Sequence, residues 1–330
     1  MSAQVRNDSL VDVAARMEAA GSVAITAHVS PDGDASGSSL ALALMLRRRG
    51  KKVRLAIPMH DLGAPGVLET FAQFREDAPV SEPDLLVCLD CATVPRIALP
   101  ELRGKAGVWP TVNIDHHETN TRYGHLNYIV GGASSTGELI YDLAKTANWD
   151  IDRDVAEALW TAIVTDTGRF SYSATAPSTL LCAADLLSKG VRVAWLNDEL
   201  FSVFGRGELE IKRRALDSLE TWFDGKVSVI ALNEDDYRET GCTKSSTETF
   251  ANIPRSVRGT GIAVFLYRLP GDPKTHASIR AREPFSALPL ASHFGGGGHD
   301  LAAGATTDLP LDAAKAAIRA FLATSFGHAS

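Results

Sequence analysis

His28, Asp32 and Asp34 lie close together in the stretch HVSPDGDASG, on a Pro-and-Gly turn that follows the apolar run SVAITA. That run reads as a buried strand. Two carboxylates held this close at a strand end repel each other and lose solvation, so something must compensate them. Other points along the chain repeat the pattern: DLLVCLD places Asp90 directly after its apolar residues, and TVNIDHH places Asp115, His116 and His117 after its own. Asp166 closes the apolar helical run ALWTAIVTD shortly before Gly168.

Taken singly, a strand-end Asp is a turn former or helix cap, and a lone His is a satisfied polar residue. Taken together they demand more. Asp32, Asp34, Asp90 and Asp166 sum to a formal charge of −4, and burying even a few unpaired carboxylates costs several kcal/mol each. Two divalent ions bring the sum to zero. Carboxylate and imidazole ligands without thiolate suit Mn²⁺ and, less exclusively, Mg²⁺, Fe²⁺ or Co²⁺. Two such ions about 3.5 to 4 Å apart activate water and stabilise both the attacking and the leaving oxygen in phosphoryl transfer.

The elements that must position these residues follow from the hydrophobic pattern. Through about residue 170, strand-like segments (SVAITAH, KVRLAI, DLLVCLD, PTVNID) alternate with helix-like ones (SGSSLALALMLRRRG, PGVLETFAQF). That order predicts an α/β domain with a mostly parallel sheet, and in such sheets ligands gather beyond the carboxyl ends of the strands. Three helical stretches follow: STGELIYDLAKTA, DRDVAEALWTAIVTDTG and APSTLLCAADLLSKG. A charged helical segment over 191–222 reads as a connector between a first domain at 1–190 and a smaller α+β domain at 223–330, with KVSVIAL, GIAVFLYRL and THASIRAR as strands and a closing helix.

Composition narrows the functional classes. A length of 330 residues suggests two domains. With 45% hydrophobic and 22% charged residues the chain is ordinary for a globular protein, and no apolar run is long enough to span a membrane. MSAQVRNDSLVDVAARMEAAG has no continuous apolar core and does not read as a signal peptide. Four cysteines (Cys88, Cys91, Cys182, Cys242) are sparse and fit a reducing cytoplasm. Cys88 and Cys91 form a CxxC with no second pair, and Cys88 lies inside the strand-like run DLLVCLD, which argues against a structural zinc or redox role. The net charge of −7 argues against tracking long nucleic acid by phosphate neutralisation, but leaves room for a small phosphorylated ligand held by a few local cations.

Read in order, HxxPDGDA (28–35), LD (89–90), DHH (115–117) and TDTG (165–168) resemble the motifs of the DHH phosphoesterase superfamily. ASIRAR followed by HFGGGGHDLAAG (293–304) resembles its associated DHHA1 domain. In layout and length the chain is similar to bacterial nanoRNases and pAp phosphatases of the NrnA type, and the resemblance covers nearly the whole sequence. It implies that His28 and Asp32 hold one metal ion, that Asp34, His116 and Asp166 hold a second, and that Asp90 bridges them. It further implies that Asp115 orients His116 from behind, and that His117 faces the phosphate as hydrogen-bond donor or as acid to the leaving oxygen.

In the second domain Arg280 alone reads as a solvated charge and the glycine run as a surface loop. The resemblance instead makes Arg280 a phosphate clamp and makes Gly296, Gly297, Gly298 and His299 a ligand-contacting loop whose bare backbone N–H groups approach an anion. STGE, from Ser135 to Glu138, reads as a capping box opening a helix.

The implied substrates are short oligoribonucleotides and the bisphosphorylated nucleotide pAp, cut with two divalent ions, Mn²⁺ first among them. Closure of the second domain is expected to complete the site. Rival readings are a cyclic di-AMP or pApA phosphodiesterase, a manganese inorganic pyrophosphatase, whose C-terminal signature differs from GGGGH, and a non-catalytic nucleotide sensor. No membrane or long nucleic acid is expected as partner. A homodimer through the first domain is open, and the apolar helices between 134 and 190 fit either its surface or the core.

Overall fold

A computed structural model describes residues 7–57 and 82–326, and its contacts divide the chain into two units, Met1–Val203 and Phe204–Ser330. The sequence-expected helix PGVLETFAQF lies outside the described residues.

In the first unit, strands β1 (Ser22–Thr26), β2 (Lys52–Leu55), β3 (Leu85–Leu89), β4 (Thr111–Asp115) and β5 (Leu126–Ile129) form one parallel sheet in the order β2-β1-β3-β4-β5. Strand β5 was not expected: LNYI is short and only its Ile129 is fully buried, so its apolar signal is weak. A parallel sheet is covered on both faces and its strands read as unbroken apolar runs. Accordingly every residue of β3 and β4 is buried. Val23, Ile25, Val87 and Ile114 pack toward the helices Gly33–Arg48, Thr136–Thr146 and Arg153–Asp166, while Ala24, Leu86 and Cys88 pack against Ile97 and Leu102 on the other face. A fully buried leucine in such a core contributes about 1.5–3 kcal/mol.

The order places a topological switch point between β1 and β3, because the chain winds outward from β1 to β2 and then returns to lay β3 on its other side. Such switch points open a crevice beyond the carboxyl strand ends. His28 follows β1 and Asp90 follows β3.

The helix after β1 starts at Gly33, earlier than the apolar pattern suggests. Asp32 is its N-cap, accepting from the N–H groups of Asp34 and Ala35, each at 3.0 Å, so the acidic turn is also a helix start signal. From Asp34 to Leu46 the helix is buried on all sides. It lies against the Arg153–Asp166 helix through residues without bulk: a Cβ on Gly37 would stand 2.4 Å from the Ala158 carbonyl oxygen, and one on Gly33 would meet the Thr165 side chain at 2.4 Å. Those pairings run the helices antiparallel, bringing the first turn of one beside the last turn of the other.

The second unit holds a six-stranded sheet ordered β10-β11-β9-β8-β7-β6, made of β6 (Glu220–Trp222), β7 (Val227–Leu232), β8 (Ile262–Tyr267), β9 (Thr275–Ala281), β10 (Gly297–His299) and β11 (Ala302–Thr307). Only β7 and β8 pair in parallel. The glycine run expected as a loop instead contributes an edge strand, with Gly297 opposite Gly304 and His299 opposite Ala302. The segment expected as a connector is shared: helix Val193–Phe201 falls in the first unit, whereas helix Arg206–Asp217 and strand β6 fall in the second. Among the described residues no helix is long and apolar enough to cross a membrane.

Candidate metal centre

Three groups of ligand atoms, each mutually within 4.8 Å, cluster at the switch point: His28, Asp32 and Asp90; Asp34, His116 and Asp166; and Asp90, His116 and His117. Asp90 joins the first to the third. Its Oδ2 lies 3.4 Å from His28 Nε2, and its Oδ1 lies 3.5 Å from His116 Nε2 and 3.6 Å from His117 Nδ1. His116 Nε2 also stands 3.8 Å from Asp34 Oδ2 and 3.6 Å from Asp166 Oδ2. Oxygen ligands of an ion bound at 2.0–2.1 Å in octahedral geometry stand about 3 Å apart, so these atoms are already spaced nearly as a shared cation requires.

The backbone is arranged for this. Asp90 has φ 52°, a left-handed conformation that costs most side chains strain but that Asp tolerates better than most. Asp34 meets the N-terminus of the Thr136–Thr146 helix, accepting from Thr136 N–H at 2.7 Å and Gly137 N–H at 2.9 Å. The Thr136 hydroxyl donates to Asp90 Oδ1 at 3.1 Å. Asp166 ends its helix, where the helix dipole disfavours an anion.

The electrostatics show the cost of the arrangement. Burial, then the charges of Asp90, Asp166 and Asp32, push the Asp34 carboxyl well above the usual carboxylate range. Burial lifts Asp166 to about 6, with His116 pulling against Asp32 and Asp90. Burial alone would depress the His28 ring, but hydrogen bonds and charge from Asp32 and Asp90 raise it to about 10. Asp32, whose side chain is 53% exposed, is desolvated by the crevice wall yet held below the ordinary range, chiefly by His28. Buried carboxyls that resist ionising beside an imidazole that keeps its proton are what a site built for dications shows in their absence.

The ring orientations agree. His28 Nδ1 lies 2.8 Å from the Val29 carbonyl and His116 Nδ1 lies 3.3 Å from the Ala133 carbonyl. An N–H donated there leaves each Nε2 bare toward the cluster, the arrangement that metal-binding histidines adopt. His117 differs: it, and not His116 as the sequence suggests, is the imidazole that Asp115 holds, its Nδ1 bonded to Asp115 Oδ1 at 2.7 Å while His116 Nδ1 turns to the Ala133 carbonyl, and its side chain is 46% exposed. That bond, against the opposing effect of burial, raises the His117 ring, and its counterpart, against burial, lowers Asp115.

Several contributors carry no sequence signal of their own. Asn120 donates to Asp115 Oδ2 at 2.6 Å and to Asn113 Oδ1 at 2.8 Å, fixing the carboxylate behind His117. Gly137 acts through its backbone N–H alone, and Thr136 through its N–H and its hydroxyl. STGE is not a reciprocal box: Ser135 Oγ accepts from Glu138 N–H, but the Glu138 carboxylate turns to the Ser134 and Thr179 hydroxyls. Burial raises the thiols of Cys88 to about 12 and Cys91 to about 11, which leaves them unreactive.

In the second unit, Arg280 is half-buried on β9 and donates to the Ile279 carbonyl at 3.0 Å. Ala302 pairs with both Arg280 and His299, and residues paired across a sheet point to one face. Gly296 immediately precedes β10, where a Cβ would meet the Gly304 carbonyl oxygen at 2.0 Å.

Residues 22–163 match the DHH family N-terminal domain, and residues 213–324 match the DHHA1 domain. The chain is 34% identical over 296 residues to the bifunctional oligoribonuclease and PAP phosphatase NrnA of Thermus thermophilus, covering 89% of this chain and 87% of that one. It is 28% identical over 290 residues to the NrnA protein of the same description from Bacillus subtilis, covering 84% and 87%. An exopolyphosphatase-related protein from Bacteroides fragilis superposes with a TM-score of 0.83 at 25% identity, covering 96% of each chain.

Proposed function

Because the chain belongs to the DHH family, whose members are metal-dependent phosphoesterases, and carries a DHHA1 domain, we propose that it hydrolyses short oligoribonucleotides to nucleoside 5′-monophosphates and pAp to AMP and phosphate. The observation that carries this reading is the Asp90 carboxylate, one oxygen toward His28 and the other toward His116. In it, His28 and Asp32 hold one ion, Asp34, His116 and Asp166 hold the other, and Asp90 lies between. Two bound divalent ions, Mn²⁺ by the chemistry of this donor set, would supply Lewis acidity and an acidified water.

The chain's own residues do the rest. Water attacks the phosphorus on the 3′ side of the 5′-terminal nucleotide and expels that nucleotide's 3′ oxygen. His117, steadied by Asp115 and Asn120, gives its proton to the leaving oxygen. Arg280, with its planar fork, grips a phosphate of the terminal nucleotide, beside Gly297, Gly298 and His299. Only the group beyond the scissile phosphorus differs between the two substrates. The DHHA1 match over 213–324 counts against a pyrophosphatase. The free thiols at Cys88, Cys91 and Cys182 support a cytoplasmic setting, and exposed Leu180, Leu181 and Leu187 on the Pro177–Ser188 helix are the surface a homodimer would use.

Labelled oligoribonucleotides of increasing length, offered beside pAp with Mn²⁺ and resolved by size, test the reading. Dinucleotides and pAp should turn over fastest. Degradation of long single-stranded RNA as fast as a dinucleotide would contradict it.

A further inference from the structure

The second sheet carries a cavity of about 420 Å³ on one face. The register defines that face: Phe265 pairs with Ser278 and Ser278 with Gly304, while Tyr267 pairs with His276 and His276 with Thr306. All six line the cavity, with Lys244 and Glu248 exposed at its rim. Arg280 lies two residues beyond Ser278 on β9, hence on the same face and about 6.5 Å further along the strand.

Three rings make one wall. Phe265 and Tyr267 stack with centroids 4.9 Å apart and planes inclined by 27°, and Tyr267 and His276 stack at 5.1 Å and 17°. His276 is held at both nitrogens, 2.8 Å from Asp272 Oδ2 and 3.3 Å from the Thr306 hydroxyl. Phe265 is buried, whereas Tyr267 and His276 are only half-buried. The floor is bare backbone at Gly304, which is exposed and where a Cβ would make only ordinary contact, 3.6 Å from the Ala277 carbonyl oxygen. A slot with aromatic rings on one wall, only the small Ser278 side chain beside Gly304 on its floor and polar groups at its rim suits a flat heteroaromatic ring with a hydrogen-bonding edge.

We propose that this cavity is a nucleoside subsite, in which the base of the nucleotide whose phosphate Arg280 grips packs against His276, the ring at the open end of the stack that Tyr267 backs, and its edge meets the rim. The assignment rests on the nucleotide-hydrolase reading above but concerns ground-state binding alone. It makes the enzyme's preference for a nucleotide over a bare sugar phosphate a property of β8, β9 and β11.

The test is calorimetric titration of the full-length, metal-free chain with AMP and with ribose 5-phosphate, which lacks the base. The wild-type chain should bind AMP roughly ten-fold or more tighter than ribose 5-phosphate, the scale of one base–aromatic stack. Tyr267→Ala should erase that difference and Tyr267→Phe should keep it. Gly304→Val, which fills the floor without touching the rings, should weaken AMP binding while leaving ribose 5-phosphate unchanged, and it serves where Tyr267→Ala fails to fold. Equal affinity of the wild-type chain for the two ligands, or a difference that survives in Gly304→Val, overturns the subsite. A chain that discriminates in this way but hydrolyses neither dinucleotide nor pAp with Mn²⁺ defeats the hydrolytic reading and leaves the subsite standing.

Discussion

Gly37 meets Ala158 backbone to backbone, with room for nothing between them: a Cβ on the glycine would stand 2.4 Å from the alanine's carbonyl oxygen. This contact sets the distance between the Gly33–Arg48 and Arg153–Asp166 helices, and with it the approach of Asp34 to Asp166. Gly37→Ala should therefore destabilise the metal-free chain by about 1–3 kcal/mol, the usual cost of overpacking, and weaken metal binding as well. Denaturant unfolding and metal titration of the variant check both. A variant as stable as the parent would mean that the helices are not held by this contact.

Asp115 raises the pKa of the His117 ring and orients the ring through a 2.7 Å bond. Removing the charge with Asp115→Asn lowers the ring's pKa, so the alkaline limb of the pH–rate profile, where the proton donor is lost, should move to lower pH. Activity at its optimum should fall about 10–100-fold, as is typical for groups behind a metal site. Asn120→Ala should act in the same direction and more weakly. An unmoved alkaline limb would remove His117 from the role of acid.

The metal-free chain should lose stability as pH rises from about 6.5 toward about 10. His28 titrates near 10 in the fold against 6.5 for an ordinary imidazole, so its contribution is complete below the unfolded value and vanishes as the folded one is passed. Asp34 and Asp166, both raised, have the same sign, because the folded state holds their protons longer than the unfolded chain does, but Asp166 loses its share lower, between pH 3.8 and about 6. Asp32, lowered, is ionised throughout this window in both states and adds no slope. Thermal unfolding in chelator across the window should show a falling midpoint that added Mn²⁺ reverses. A midpoint that climbs with pH in chelator would show that the cluster is not a buried surplus of negative charge.

Asp90→Asn keeps a residue type that tolerates φ 52° but removes the shared charge. Turnover should drop by roughly a thousand-fold or more, since several kcal/mol of charge stabilisation depends on the ions it places. The folded state should persist by circular dichroism, and nucleotide binding should remain measurable. Retained turnover would contradict a shared role for Asp90.

Much of this was legible in the sequence because chemistry and periodicity coincide. Asp90 and the DHH triplet stand where an apolar run stops, and a parallel strand ends where its apolar run ends. What was hidden depends on contacts between distant segments. Gly33 reads as part of a turn and Gly37 as an ordinary position near the start of the expected helix, yet the value of both lies in what they meet 120 or more positions away. Gly137 serves through an N–H group that any residue but proline would carry, and Thr136 adds to its own N–H a hydroxyl that reaches Asp90. Strands β10 and β11 are built from glycine, alanine and threonine with a single histidine, His299, with too little apolar alternation to announce a strand, so the glycine run reads as a loop until its register with β11 is known.

The central claim is that the carboxylates and imidazoles around Asp90 bind a pair of ions. Anomalous diffraction at the manganese edge, from crystals grown with Mn²⁺, tests it most directly. The account predicts two peaks about 3.5–4 Å apart, one beside His28 and Asp32, the other beside Asp34, His116 and Asp166, with Asp90 between them. A single peak, or manganese bound away from Asp90, would contradict it.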